Sequence, residues 1–335
     1  MADLESIAAG LSAIERTPDG LHYAFVRLEA AGKNLGSADA LADFPHLRFM
    51  DISANPAITS LAKGLAPQLY LLSLTATGNG LTAVEDSVFA SKKYLGHLDL
   101  SENMIGNCQT TAWPHLQRLI LNKNALEELV ISHAPELLTL EARANKLSLV
   151  RLANPMQRLQ KLYLAANQII DVSFVMGGKS ALESIHLRDN IIGSLLPFAN
   201  CGLDKLSYLN LRNNKIDSFD EIDHLGGLKS LARLNLQQNP ICEQENYRLN
   251  IVYRLAHLKV LDKEPIAADE REEGEQVRVQ NERIREEQRQ RMEAESASAP
   301  PPLSGGDGGG GGANAGPGGE DGGGGDEEAG DAEDA

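Results

Sequence analysis

The side chains in this sequence that could do chemistry are mostly cations and rings. The motifs of enzymatic catalysis do not occur. There is no glycine-rich phosphate loop ending in Lys-Ser/Thr, no Cys-x-x-Cys pair, no His-Glu-x-x-His and no Gly-x-Ser-x-Gly. The 8 histidines do not fall at ligand spacing. The glycine-rich stretch at 305–325 has neither a strand pattern before it nor a helix pattern after it, so it reads as a linker. Catalytic residues, cofactor and metal are all expected to be none. What remains is binding chemistry, carried by Arg118, Arg143, Lys161, Arg188, Arg212 and Arg233 together with Tyr163, His186 and Tyr208. Guanidinium groups grip carboxylates with paired hydrogen bonds, and arginine and tyrosine are frequent energetic anchors of interfaces.

These residues can act together only if something repeats to align them, and something does. The spacing Leu-x-x-Leu-x-Leu-x-x-Asn reads Leu159, Leu162, Leu164, Asn167 and returns at Leu182, Leu206 and Leu231. Upstream it appears at Leu47, Leu95, Leu116 and Leu137, the last with Ala142 at a leucine position. A further coil is read at Leu69, Leu72, Leu74, with Thr77 where asparagine belongs, and a degenerate first coil at Phe25, Leu28, Ala30. This is the leucine-rich-repeat signature. Two apolar positions two apart point to one side of a short strand, and the asparagine amide bridges backbone groups freed by the turn that follows. The expected fold is α/β: a curved parallel sheet of about ten coils, 21–26 residues each, with a local irregularity at 75–94.

Positions two, four and six residues after the first leucine then face away from the leucines. Early coils place Phe49, Asp51, Ser53, Leu71, Ser73, Thr75, His97, Asp99 and Ser101 there. Later coils place the cation and ring set there, making that half of the concave face basic and aromatic. It is expected to dock an acidic or helical segment of another protein, and the chain's own acidic tail is a possible competitor for it.

Both ends carry cap signals. Leu4, Ile7, Ala8, Leu11 and Ile14 follow helical spacing up to Thr17-Pro18-Asp19-Gly20, so 1–24 reads as a helical cap. The solenoid with its C-terminal cap runs over 25–263, closed by Asn239-Pro240, a helix over 243–255 and a last strand near Val260. Residues 264–296 read as a charged helical arm and 297–335 as a disordered, glycine-rich acidic tail. The charge follows this division: 1–263 is near −2 and 264–335 near −14. The acidity argues against nucleic acid as a partner. No apolar run is long enough to span a membrane, the first residues lack a secretory core segment, and Cys108, Cys201 and Cys242 read as reduced intracellular thiols.

Several segments resemble the leucine-rich-repeat proteins of ciliary radial spokes. They are the run 20–29, the run 46–53, His186-Leu187-Arg188-Asp189-Asn190, Tyr208-Leu209-Asn210-Leu211-Arg212, and the exit 261–264 leading into 270–273. The resemblance covers roughly residues 8–290; the glycine-rich tail departs from the animal proteins and is more like an algal or protist version. It implies a non-enzymatic scaffold subunit in the axoneme of a cilium or flagellum, whose partners are other radial spoke subunits and not a small-molecule substrate, nucleic acid or membrane. The alternatives are a regulatory repeat subunit of a phosphatase or dynein, or an RNA-particle subunit using the basic face.

Overall fold

A computed structural model describes residues 2–152 and 155–298. The chain is an α/β leucine-rich-repeat solenoid. Its main sheet has 13 strands, and within it the strands from Tyr23–Glu29 to Val260–Leu261 run parallel to one another. The leucines of successive coils stack in register: Leu119 pairs with Leu140, Leu140 with Leu162, Leu162 with Ile185, Ile185 with Leu209 and Leu209 with Leu234. One continuous apolar core runs behind the sheet from Ile7 to Leu261. Each coil buries its face only against the coils beside it, which makes stability a sum of neighbour terms.

A ladder of asparagines joins the coils at the turn after each strand. Asn55, Asn79, Asn103, Asn124, Asn145, Asn167, Asn190, Asn214 and Asn239 each donate to carbonyls of the preceding coil and of their own. Asn190, for example, donates to Leu164 O at 3.0 Å and Leu187 O at 2.9 Å, while its Oδ1 accepts from Ile169 N at 3.0 Å. The residue before the asparagine sits in the left-handed region in most coils, as at Ala54, Ala144 and Ala166. In one coil this place is taken by Gly78 (φ 69), the residue type that adopts it without strain.

That glycine marks a correction. The second full coil is not Leu69-Leu72-Leu74-Thr77 but Leu71-Leu74-Ala76-Asn79. Leu71 is 0% exposed and Leu69 54%, Leu74 pairs with Met50, and Asn79 makes the ladder bonds. A slip of two residues preserves the alternation of faces, so both readings put leucines inside. Leu71 therefore belongs to the core and not to the open face. The irregular segment 75–94 contains a short helix, Asp86–Ala90, whose Phe89 packs edge-on against Trp113.

The N-terminal cap also differs from the helix expected over 1–24. The helix covers only Ala2–Gly10, and Leu11–Arg16 is a strand paired antiparallel with Tyr23–Glu29. At the junction, Gly10 lets the helix end lie against the sheet edge. A Cβ there would lie 2.3 Å from the backbone oxygen of Glu29, so only glycine allows this close approach before the chain enters the strand Leu11–Arg16. Thr17 and Asp19 tie the hairpin turn, with the Thr17 hydroxyl donating to Asp19 at 2.5 Å.

Three short strands on the far side, Asn107–Thr110, Glu128–Ile131 and Leu149–Leu152, form a second parallel sheet. They fall in the shortest coils, where too few residues remain for a helical return. At the C-terminal end, Pro240–Glu243 forms a short turn of 3-10 helix, Tyr247–Arg254 a helix, and Val260–Leu261 the last parallel strand. Asp262 ends the ladder, accepting from Leu236 N at 2.7 Å and from the Tyr247 hydroxyl at 2.8 Å. Glu264–Pro265 turns back antiparallel on that strand.

The helix Ala268–Ser298 follows. Up to residue 284 it is fixed to the cap: Glu270 pairs with Arg248, Arg271 donates to Ala256 O at 2.7 Å and Leu258 O at 2.6 Å, and Asn281 donates to Asn250 at 3.1 Å. The described residues from 285 onward form a separate unit, in which Arg289 pairs with Glu286 at 2.8 Å and Glu293 at 3.8 Å. The expected tail at 297–335 lies almost wholly outside the described residues.

Candidate functional site

Strand register decides which side chains share the open face. One row, read across the sheet, is Arg27, Phe49, Ser73, His97, Arg118, Thr139, Lys161, Ser184, Tyr208 and Arg233. The row beside it is Glu29, Asp51, Thr75, Asp99, Ile120, Glu141, Tyr163, His186, Asn210 and Asn235. Each strand contributes one residue to each row because alternate side chains point to opposite faces.

Five of the nine singled-out residues join in one diagonal stack. The Arg143 guanidinium lies 4.2 Å from the Tyr163 ring centre. Tyr163 and His186 are 4.6 Å apart, tilted at 36°. His186 meets Tyr208 edge-on at 4.9 Å, and the Arg233 guanidinium lies 4.9 Å from Tyr208. The order is cation, ring, ring, ring, cation, and it crosses five coils. Cation–ring contacts of this kind are worth about 0.5–1 kcal/mol at exposed sites. They also hold the long arginine side chains in place, which lowers the entropy lost on gripping a ligand.

The other four are placed differently. Arg118 is tied to Glu141 at 2.9 Å, and Glu141 also lies 3.6 Å from Arg143. Arg188 pairs with the adjacent Asp189 at 2.8 Å. Arg212 donates to Gln238 at 2.8 Å, toward the ladder edge of the sheet. Lys161 is exposed and has no ion pair among the described residues. Glu141 and Ile120 occupy open-face positions by the same spacing, yet both are only 7% exposed, and Glu141 lies beneath Arg118 and Arg143. Spacing shows which face a side chain leaves by, but not what folds over it afterwards.

His186 is pushed down to about 4, first by burial and then by Arg143, Arg188 and Arg233. At neutral pH it is an uncharged ring between two tyrosines. His97 is also held below its ordinary value, by burial and by Arg118. The Cys108 thiol is buried and pushed up to about 12. Among the described residues no group of three or more His, Cys, Asp or Glu could hold a metal ion, and no helix is long and apolar enough to cross a membrane.

Comparison with known proteins places this geometry. The family model described as "Leucine-rich repeat" matches residues 179–290. The functional domain of InlJ from Listeria monocytogenes superposes with a TM-score of 0.51 at 21% identity, covering 70% of this chain and 48% of that one, a likeness of fold alone. Over 120 residues, 35% of this chain and 47% of the relative, the sequence is 32% identical to cilia- and flagella-associated protein 410 of Mus musculus. Over 273 residues it is 34% identical to leucine-rich repeat-containing protein 23 of Bos taurus, covering 80% of this chain and 77% of the relative. With a capped solenoid, an unbroken asparagine ladder and this likeness along four-fifths of its length, the chain belongs to the leucine-rich repeat-containing protein 23 family.

Proposed function

We propose that this protein is a non-enzymatic scaffold subunit of the ciliary radial spoke, and that its open face binds an acidic segment of another spoke protein. The observation that carries the reading is the stack Arg143–Tyr163–His186–Tyr208–Arg233. Arginine and tyrosine in rigid array are suited to gripping carboxylates while burying ring surface. Family membership and the likeness to a protein named for cilia and flagella support a ciliary setting. The resemblance of the flanking segments to radial-spoke proteins supports the spoke in particular.

Two experiments test it. Removal of the gene from a ciliated cell should leave spoke density missing or incomplete in tomograms of the axoneme; complete spokes would overturn the assignment. On the purified chain, a Glu-rich peptide should bind with a steep salt dependence, and Arg233→Glu should weaken it about tenfold or more, since truncating an anchoring charge at an interface costs a few kcal/mol. Arg212→Glu should matter less, because Arg212 already bonds Gln238.

A further inference from the structure

The open face has a second exposed feature at its other end. In the N-terminal hairpin Ile14 is 61% exposed, Tyr23 67% and Phe25 40%. Ile14 stands opposite Phe25 and Arg16 opposite Tyr23, so these side chains share one side of the hairpin. Tyr23, Phe25 and Arg27 alternate along one strand and therefore leave by the same face. Arg27 is in register with Phe49 and lies 4.9 Å from its ring, which makes the apolar patch continuous with the row that ends at Tyr208 and Arg233. Large apolar side chains grouped in water mark a contact surface more often than not.

Between the two ends the face is polar and acidic. Asp51, Ser73, Thr75 and Asp99 occupy it, with Asp51 and Asp99 held by the backbone N–H groups of Ser53 and Ser101 at 3.0 Å. An acidic segment is attracted to the Arg143–Arg233 end and repelled here. The face therefore has an apolar end, an acidic middle and a cationic, aromatic end.

We propose that the open face takes one segment of a partner protein in a single direction, with aliphatic or aromatic residues on Ile14, Tyr23 and Phe25 and acidic residues on the Arg143–Arg233 stack. This rests on the acidic-segment reading above and adds the second anchor and the polarity. Reversal would set carboxylates on the exposed apolar groups of Ile14, Tyr23 and Phe25 and apolar groups on guanidinium. Seven strand steps separate Tyr23–Glu29 from Ser184–His186. At about 4.8 Å per step the anchors are roughly 34 Å apart. A partner spans this with about ten extended residues or about 22 helical ones. Linking two weak anchors makes the second contact intramolecular and raises affinity without new chemistry.

The test uses the full chain and three synthetic, fluorescein-labelled Ala/Gln-based helical peptides. One carries a Glu block at one end, one a Leu/Phe block at one end, and one both blocks about 22 residues apart. The two-block peptide should bind at least about tenfold tighter than the Glu-only peptide. Ile14→Ser and Tyr23→Ser, both at exposed positions, should each reduce that gain while leaving Glu-only binding unchanged. A photo-cross-linker at the acidic end should label residues 143–233. Equal binding of the two-block and Glu-only peptides, or labelling at 14–49, would overturn this inference and leave the acidic-segment reading standing. Failure of the Glu-only peptide to bind would overturn both.

Discussion

Glu141 accepts from Arg118 across one strand step at 2.9 Å and, from beneath the arginines, holds the only carboxylate among the described residues of the two open-face rows between Asp99 and Arg233. It is nearly covered, whereas both of its arginine partners are about half exposed. Glu141→Gln should therefore have two opposite effects. The fold should lose about 1 kcal/mol, since the freed guanidiniums remain hydrated. Affinity for a Glu-rich peptide should rise, because two cations lose their internal competitor. Denaturant melts and fluorescence anisotropy on the same variant check both.

Acid should weaken the stack. His186 has a folded value near 4, below its ordinary 6.5. Between those values the unfolded chain binds a proton that the folded chain does not. Stability is therefore complete above about pH 6.5 and is lost as pH falls toward 4. His97 and His257 are shifted in the same direction, by burial first, and add to the loss. His186→Phe keeps the ring contacts and removes one titrating group. Its melting temperature should fall less than the wild type's between pH 7.5 and pH 4.5; an equal fall would mean the imidazole does not contribute.

The corrected register of the second full coil has its own test. Asn79→Ala leaves the buried Asn55 N without an acceptor and takes one of the two asparagine donors from each of Ile52 O and Ala76 O. Buried backbone groups stranded in this way cost about 1–3 kcal/mol. Thr77→Ala removes no ladder bond and should be near neutral. Urea titration of the pair should show the asparagine variant clearly weaker; the reverse order would restore the earlier register.

Gly10→Ala should damage the N-terminal cap more than any effect on helix propensity could repair. The added methyl meets the Glu29 carbonyl, which is fixed within the strand Tyr23–Glu29. Proteolysis at 10–22, followed by mass spectrometry, should speed up in the variant while the central coils stay protected, because neighbour-only contacts keep the damage local.

Much of this architecture was legible because leucine and asparagine recur where the fold needs an inward side chain and a turn bridge. Leu162, Asn167, Ile185 and Asn190 could be placed by counting alone. Leu71 could not, since Leu69, Leu72 and Leu74 fit the same template two residues away and Ala76 hides a core position behind a small side chain. The hairpin was hidden for a similar reason: Leu11 and Ile14 continue a helical period, and nothing in that period shows that 11–16 pair with the strand Tyr23–Glu29 instead. At the candidate site, spacing put Arg143, Tyr163, His186, Tyr208 and Arg233 on one face. Their diagonal contact depends on side-chain direction across neighbouring strands, which periodicity does not carry. The near-burial of Glu141 was missed for the same reason.

Both ends of the main sheet are closed by strands that run against their neighbours, Leu11–Arg16 at one margin and Glu264–Pro265 at the other. Growth or shrinkage by a whole coil is therefore confined to the interior, where each coil meets only copies of its own kind. A coil gained or lost between the hairpin and Arg143 moves the hairpin and the arginine–tyrosine stack apart or together by roughly 4.8 Å while leaving both intact. On the two-anchor proposal, the number of intervening repeats sets the span a partner must cover, and the gene can reset that span without redesigning either anchor.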